Sequence, residues 1–475
     1  MSKVELMSKS AHLSVLALVM INVIAIGSLR GIPLSASFGL AIVTYYLIAA
    51  LLFFIPSALV AAELTTAWPV EGGVYTWIRE AFGRPLAFCV IFIQWMYNIF
   101  WYPTILALFA ATFAYTFAPN LVHHPGYTLT IILAIYWLLT LLSLRGMKLS
   151  GTISTITALL GTLFPMALII ILGLFWLLTG HAPQIPFSTK ALFPHQTIAE
   201  LPLLTGVIYN LVGMEMSAVH VRDVANPQRN YPRALFYSTI VILVSLIATS
   251  LAVAVVIPPA QLNLVTGLLD AFRLFLHAFG LEDWLCVVAF LIMIGILGSV
   301  MAWMVGPTRG MAIAAEDHAL PAWLGNQNRA GMPQVLLLFQ GIIFSLVSFA
   351  FVLMPSINSS FWLLSDLTAE LALSTYIFIF AAALRLRYKY PHQLRTFSVP
   401  GGNFGMWTIT ISGILASIFT ILIGFIPPSQ LILGKLSRYY WFLGGGFIGF
   451  YLLAIMIFFG FNLQSHTKKI EKTGI

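Results

Sequence analysis

Four charged side chains interrupt stretches that are otherwise apolar: Arg30, Glu215, Asp366 and Glu370. A charge at the centre of a membrane-crossing helix costs about 2.5–3.5 kcal/mol on insertion scales, so each needs a partner or a purpose. Arg30 lies within Gly27-Ser28-Leu29-Arg30-Gly31-Ile32-Pro33, and Glu215 within Gly213-Met214-Glu215. Glycine is a poor helix-interior residue and proline removes a backbone donor, so both segments are expected to break there. A break frees N–H groups that suit a carboxylate and carbonyls that suit an ammonium. Arg30 adds a planar fork that grips a carboxylate at two points. The alternative is an internal pair between Arg30 and Glu215, Asp366 or Glu370. Glu215, beside freed backbone, is also a candidate to exchange a proton. Asp366 and Glu370 stand four apart, on one helical face, and are further proton-coupling candidates. A continuous helix with Glu215 paired to a neighbour, and a merely kinked first helix, are the blander alternatives.

Other chemistry finds little support. His123 and His124 are adjacent in a loop, not spaced for one helical face, and there is no nucleotide-binding loop. An enzyme, a cofactor, a metal and an ATP-driven engine are therefore not expected. Cys89 and Cys286 sit in apolar runs and read as small core residues.

The elements that must position these groups are membrane spans. The 475 residues are 60% hydrophobic and 8% charged, against about 25% charged in a soluble chain. Twelve apolar stretches are long enough to cross a bilayer: 13–35, 40–66, 86–118, 127–144, 150–179, 198–221, 234–257, 284–314, 334–354, 361–384, 404–426 and 439–462. Short helices are expected at 67–85 and 315–333, and an amphipathic surface helix over Val265 to Phe279. With both termini in the cytoplasm, the outside loops hold only Lys190, Arg273, Lys435 and Arg438 of the 23 Lys and Arg. Arg30 lies in a span and all the others fall inside, as the positive-inside rule requires. The net charge of +8 thus belongs to topology and not to nucleic acid. The two interrupted segments, five spans apart, have the placement that marks the binding site of an inverted-repeat transporter.

Several motifs then share one source. They are Phe54-Ile55-Pro56 with Ala61-Ala62-Glu63-Leu64, Glu71-Gly72-Gly73-Val74-Tyr75-Thr76-Trp77, and Gly213-Met214-Glu215 with Ser217-Ala218. His220-Val221-Arg222-Asp223 leads to Asn226-Pro227 and Tyr231-Pro232, and Trp303 to Gly310 and Arg395-Thr396-Phe397 with Val399-Pro400-Gly401-Gly402 follow. In these the chain resembles bacterial amino-acid permeases of the amino acid–polyamine–organocation superfamily, most closely the glutamate/GABA antiporter group. The resemblance, over about residues 12 to 462, implies an all-α polytopic membrane protein with broken helices 1 and 6. Residues 12–144 and 150–179 would form the first five-helix repeat and 198–390 the inverted second. Helices 11 and 12, at 402–463, would be appended, all as one domain over 1–475. It further implies alternating-access transport of an amino acid across a bacterial inner membrane.

Substrate contacts are expected from Gly27, Ser28, Arg30, Gly31, Gln94, Gly213, Glu215, Ser299, Trp303 and Tyr376, and gating from Glu71, Asp223, Arg229 and Arg233. A solvated loop is the plainer reading of the last three, and core packing that of Trp303 and Tyr376. The chain departs from the group at Arg30 and Gln94, where its members have tyrosines, at Ser299, where they have an acid, and at Ala372. The leading expectation is an exchanger or proton symporter favouring glutamate-like substrates. The partners are then an amino acid, protons and the bilayer. A permease for polyamines or other cationic amines, or an amino-acid sensor with a transporter fold, are the alternatives.

Overall fold

A computed structural model describes residues 13–69, 72–146, 151–194, 200–224, 226–429 and 435–473. Inside a bilayer each backbone polar group needs an internal partner, which helices supply within one segment. Among the described residues the regular elements are all helical, with two isolated β-bridges and no strand. Eleven helices are long and apolar enough to cross a membrane.

In chain order, α1 (Val15–Ile26) and α2 (Ile32–Ala36) make the first segment, and α3 (Gly39–Ala67) the second. The short α4 (Val74–Phe82) precedes α5 (Arg84–Phe117), α6 (Pro125–Leu144) and α7 (Ile153–Leu178). The segment expected at 198–221 is not one long helix. It is α8 (Leu204–Tyr209), a non-helical turn, and then the tighter 3-10 helix Met214–Asp223. After it come α9 (Pro227–Val256), α10 (Gly267–Ala278), α11 (Leu285–Glu316) and α12 (Gln334–Leu353). The chain ends with α13 (Ile357–Lys389), α14 (Gly402–Gly424) and α15 (Leu436–Phe461).

Eleven of the twelve stretches read from the sequence thus coincide with long helices. The sixth departs because four non-helical residues after Tyr209 leave each remaining piece too short. The short helix expected at 67–85 is α4, whereas 315–333 holds only the 3-10 turn Ala322–Gly325. The surface helix is α10, which buries Leu268, Leu269, Phe272 and Phe275 on one face.

α5 and α13 are buried along most of their length and stand at the centre. They pack against each other and, with α11, wall in the two interrupted segments. The outward faces of α6, α7, α12, α14 and α15 carry exposed Leu138, Leu178, Leu346, Leu415 and Trp441, which suits contact with lipid.

Candidate functional site

The first break begins where α1 stops at Ile26. Gly27 and Ser28 leave the helical conformation, and the Ser28 hydroxyl accepts from the Arg30 N–H at 3.3 Å. Two carbonyls of the last turn of α1 are satisfied from α11. Ser299 Oγ donates to the Ile24 carbonyl at 2.8 Å, and the Trp303 indole N–H to that of Ala25 at 2.9 Å. These two expected substrate contacts therefore have their polar atoms engaged with backbone. The Trp303 ring lies between Tyr97 and Trp101, at centroid distances of 6.3 and 5.8 Å.

The second break turns at Gly213, whose φ of +129° is a conformation that side chains disfavour. Its N–H donates to the Tyr376 hydroxyl at 2.8 Å, and that hydroxyl in turn donates to Glu215 Oε2. Glu215 Oε1 accepts from the Gln94 amide at 3.4 Å, so α5 and α13 hold the buried carboxylate from two sides. The breaks also meet directly, since the Asn210 amide donates to the Gly31 carbonyl at 3.4 Å and to Ser35 Oγ at 3.2 Å. Asn210, Tyr46 and Tyr97 join this network without any sequence signal beyond their polarity in apolar surroundings.

Arg30 is 4% exposed. Its NH1 donates to Thr104 Oγ1 of α5 at 3.2 Å and to Ser365 Oγ of α13 at 2.8 Å. The guanidinium lies over the Tyr209 ring at 5.3 Å and over the Phe361 ring at 5.4 Å. Its Nε has no hydrogen-bond partner, and among the described residues Arg30 forms no ion pair. The internal pairing with Glu215, Asp366 or Glu370 is thus not formed here. A small cavity beside Arg30 is lined by Gly31, Gly206, Asn210, Phe361, Ser365 and Asp366.

The gate candidates fare differently. Glu71 and the Asp223 side chain lie outside the described residues. Arg229 and Arg233 are exposed and form no ion pair among the described residues. The ionic contacts at this end involve other residues. Arg79 of α4 meets Asp317, just past α11, at 2.5 Å, and the Tyr75 hydroxyl donates to the same oxygen at 3.0 Å. Burial and the Asp317 carboxylate push Tyr75 well above the usual tyrosine range. Glu63 of α3 is 2% exposed and takes Arg387 at 2.9 Å, Arg395 at 3.4 Å and the Val399 N–H at 2.7 Å. Glu63, Arg395 and Val399 belong to the sequence motifs, but nothing in those motifs says that they meet.

Two interrupted segments facing each other across buried polar side chains, inside a bundle of long apolar helices, define a polytopic membrane protein of the transporter kind. The sequence profile of the amino acid permease family matches residues 12–460, and the chain belongs to that family. An uncharacterized transporter of Legionella pneumophila is 47% identical over 92% of this chain and 94% of its own length. A glutamate/gamma-aminobutyrate antiporter of Lactococcus lactis is 31% identical over 93% of this chain and 88% of its own. A further relative from Lactococcus lactis, named "Probable agmatine/putrescine antiporter AguD", is 25% identical over 76% of each chain. Members of this family are transporters, and the relatives support amino-acid or amine transport.

Proposed function

We propose that the chain is a secondary transporter of amino acids that works by alternating access as an exchanger or proton symporter. It favours substrates with a second acidic group. In this reading the broken sixth segment counts as a twelfth span, and two inverted five-helix repeats place the breaks at mid-membrane. The termini lie in the cytoplasm of a bacterial cell, with the bundle in its inner membrane.

The observation that carries the substrate preference is Arg30. Its charge is buried, held in place by two hydroxyls and two rings, and forms no ion pair among the described residues. A buried charge left without a counter-charge is costly, and a substrate carboxylate supplies one. Glu215, just after the freed backbone of residues 210–213, is suited to the substrate ammonium or to a proton.

Counterflow of a panel of labelled amino acids into proteoliposomes, with and without a pH gradient, tests the reading. Glutamate and its homologues should exchange faster than neutral amino acids. Exchange of agmatine or putrescine, but of no acidic substrate, would establish the amine reading instead. The buried Asp366 and Glu370 and the relative named as an agmatine/putrescine antiporter favour that second reading.

A further inference from the structure

We propose that Asp366 and Glu370 form a coupling-ion site, adjoining the Arg30 cavity and away from Glu215, that holds one transported proton on the pair of carboxyl groups. The proposal rests on the transport reading above and adds where the coupling ion is carried.

Both residues lie on one face of α13, and they are 1% and 0% exposed. Asp366 Oδ1 and both oxygens of Glu370 have no hydrogen-bond partner among the described residues. The two groups converge. A Cβ placed on Gly424, at the end of α14, would lie 3.0 Å from Glu370 Oε1 and 3.1 Å from Asp366 Oδ1. Thr205 of α8 stands beside Asp366, with its hydroxyl donating to the Pro202 carbonyl and its methyl 3.3 Å from that same point. Glycine at 424 therefore lets Glu370 Oε1 and Asp366 Oδ1, two acceptors without a hydrogen-bond partner among the described residues, approach one point. Buried acceptors of this kind are rare unless a ligand or proton completes them.

The surroundings are oxygen groups without a counter-charge, which suits a cation. α15 presents Tyr439, α8 presents Thr205, and the end of α14 presents the carbonyls of Gly424 and Ile426. Arg30 shares a small cavity with Asp366 without pairing to it, and no Lys, Arg or His among the described residues forms an ion pair with either acid. Two buried carboxyl groups that approach one point repel each other when both are charged, and a bound cation or proton relieves that repulsion.

Tyr439 supplies a way to sense that proton. Its oxygen lies 2.8 Å from Asp366 Oδ2 and 2.8 Å from the Gly424 carbonyl, and it has one hydrogen to give. When that hydrogen points to the carbonyl, the contact with Asp366 is a hydrogen bond only if the carboxyl group is the donor. When Asp366 is ionised, the hydrogen turns to it and the carbonyl is released. Loading of the pair is thus transmitted to the junction of α14 and α15, away from Glu215 and its partners Gln94 and Tyr376.

The test compares wild type, Glu370→Gln, Asp366→Asn and Tyr439→Phe in sodium-free proteoliposomes. A gradient of one pH unit is worth about tenfold in accumulation per coupled proton; both acid variants should lose that factor, and Glu370→Gln, whose side chain does not line the Arg30 cavity, should keep counterflow at fixed pH within about twofold. Tyr439→Phe should retain coupling with a displaced pH profile. A second readout does not depend on transport. Infrared spectra of the purified protein should show a protonated-carboxyl band that weakens in both acid variants. If wild type moves none of the substrates tried, the transport reading fails and the infrared comparison still decides the proton site. An unchanged band in both acid variants, gradient-driven accumulation by Glu370→Gln equal to wild type, loss of that variant's counterflow along with accumulation, or sodium replacing the pH gradient would each overturn the proposal.

Discussion

At Arg30 the cost of burying a guanidinium is only partly offset. Hydroxyls from α5 and α13 take two of its donors and rings cover it, a cation–π contact worth about 2 kcal/mol or more when desolvated. The open side is Nε. Arg30→Lys keeps the charge and loses the fork, so it should weaken glutamate binding about ten- to hundredfold, the loss of one charged buried hydrogen bond. Competition of unlabelled glutamate in counterflow measures this. None of Glu215→Gln, Asp366→Asn or Glu370→Gln should rescue Arg30→Met. Rescue by any of them would show an internal ion pair in another conformation. Arg30 itself was legible because a charge stands out in an apolar run. Its partners were not, since Thr104 and Ser365 are ordinary in such helices and lie 74 and 335 residues away.

At the scale of elements, the breaks were legible from glycine and proline, and their inner structure was not. Sequence reading places a break at Gly213-Met214-Glu215, whereas the chain breaks over residues 210–213 and forms a 3-10 helix from Met214. Propensity marks where a helix stops more firmly than which helix resumes. Ser299 and Trp303 were found as polar and aromatic residues of one helix face, but their bonds to the carbonyls of Ile24 and Ala25 appear only once α11 is packed. The turn at Gly213 is part of this packing. A Cβ there would come within 3.0 Å of both Trp303 and Ile26, on a backbone that already disfavours one. Gly213→Ala should therefore destabilise the protein by about 1–3 kcal/mol, seen as a lower Tm in detergent, and abolish uptake. A Tm equal to wild type would mean that the turn relaxes freely.

For the whole molecule, charge decides orientation and the helices decide everything else. Cysteines introduced at Asn120, Gln184 and Leu394, all exposed, report on three loops in a background lacking Cys89 and Cys286. An impermeant maleimide added to intact cells should label the first two and spare the third. Labelling at Leu394 would invert the topology. The course of the long spans was readable because hydropathy follows each segment's own composition. The ionic contacts that close the bundle were not, because they join segments from opposite ends of the chain.

Glu63 shows what that separation means for the making of the protein. Its arginine partner Arg387 lies 324 residues later, and the Val399 N–H lies 336 later. At about 5–20 residues per second, a ribosome takes roughly 16–65 seconds to reach that arginine after the glutamate has been made. For that interval α3 carries an acid whose counter-charges do not yet exist, and the bundle cannot take up its finished form. Assembly is therefore ordered by synthesis: the end of α13 and the loop after it arrive late and fasten down a helix that has been waiting since early in translation.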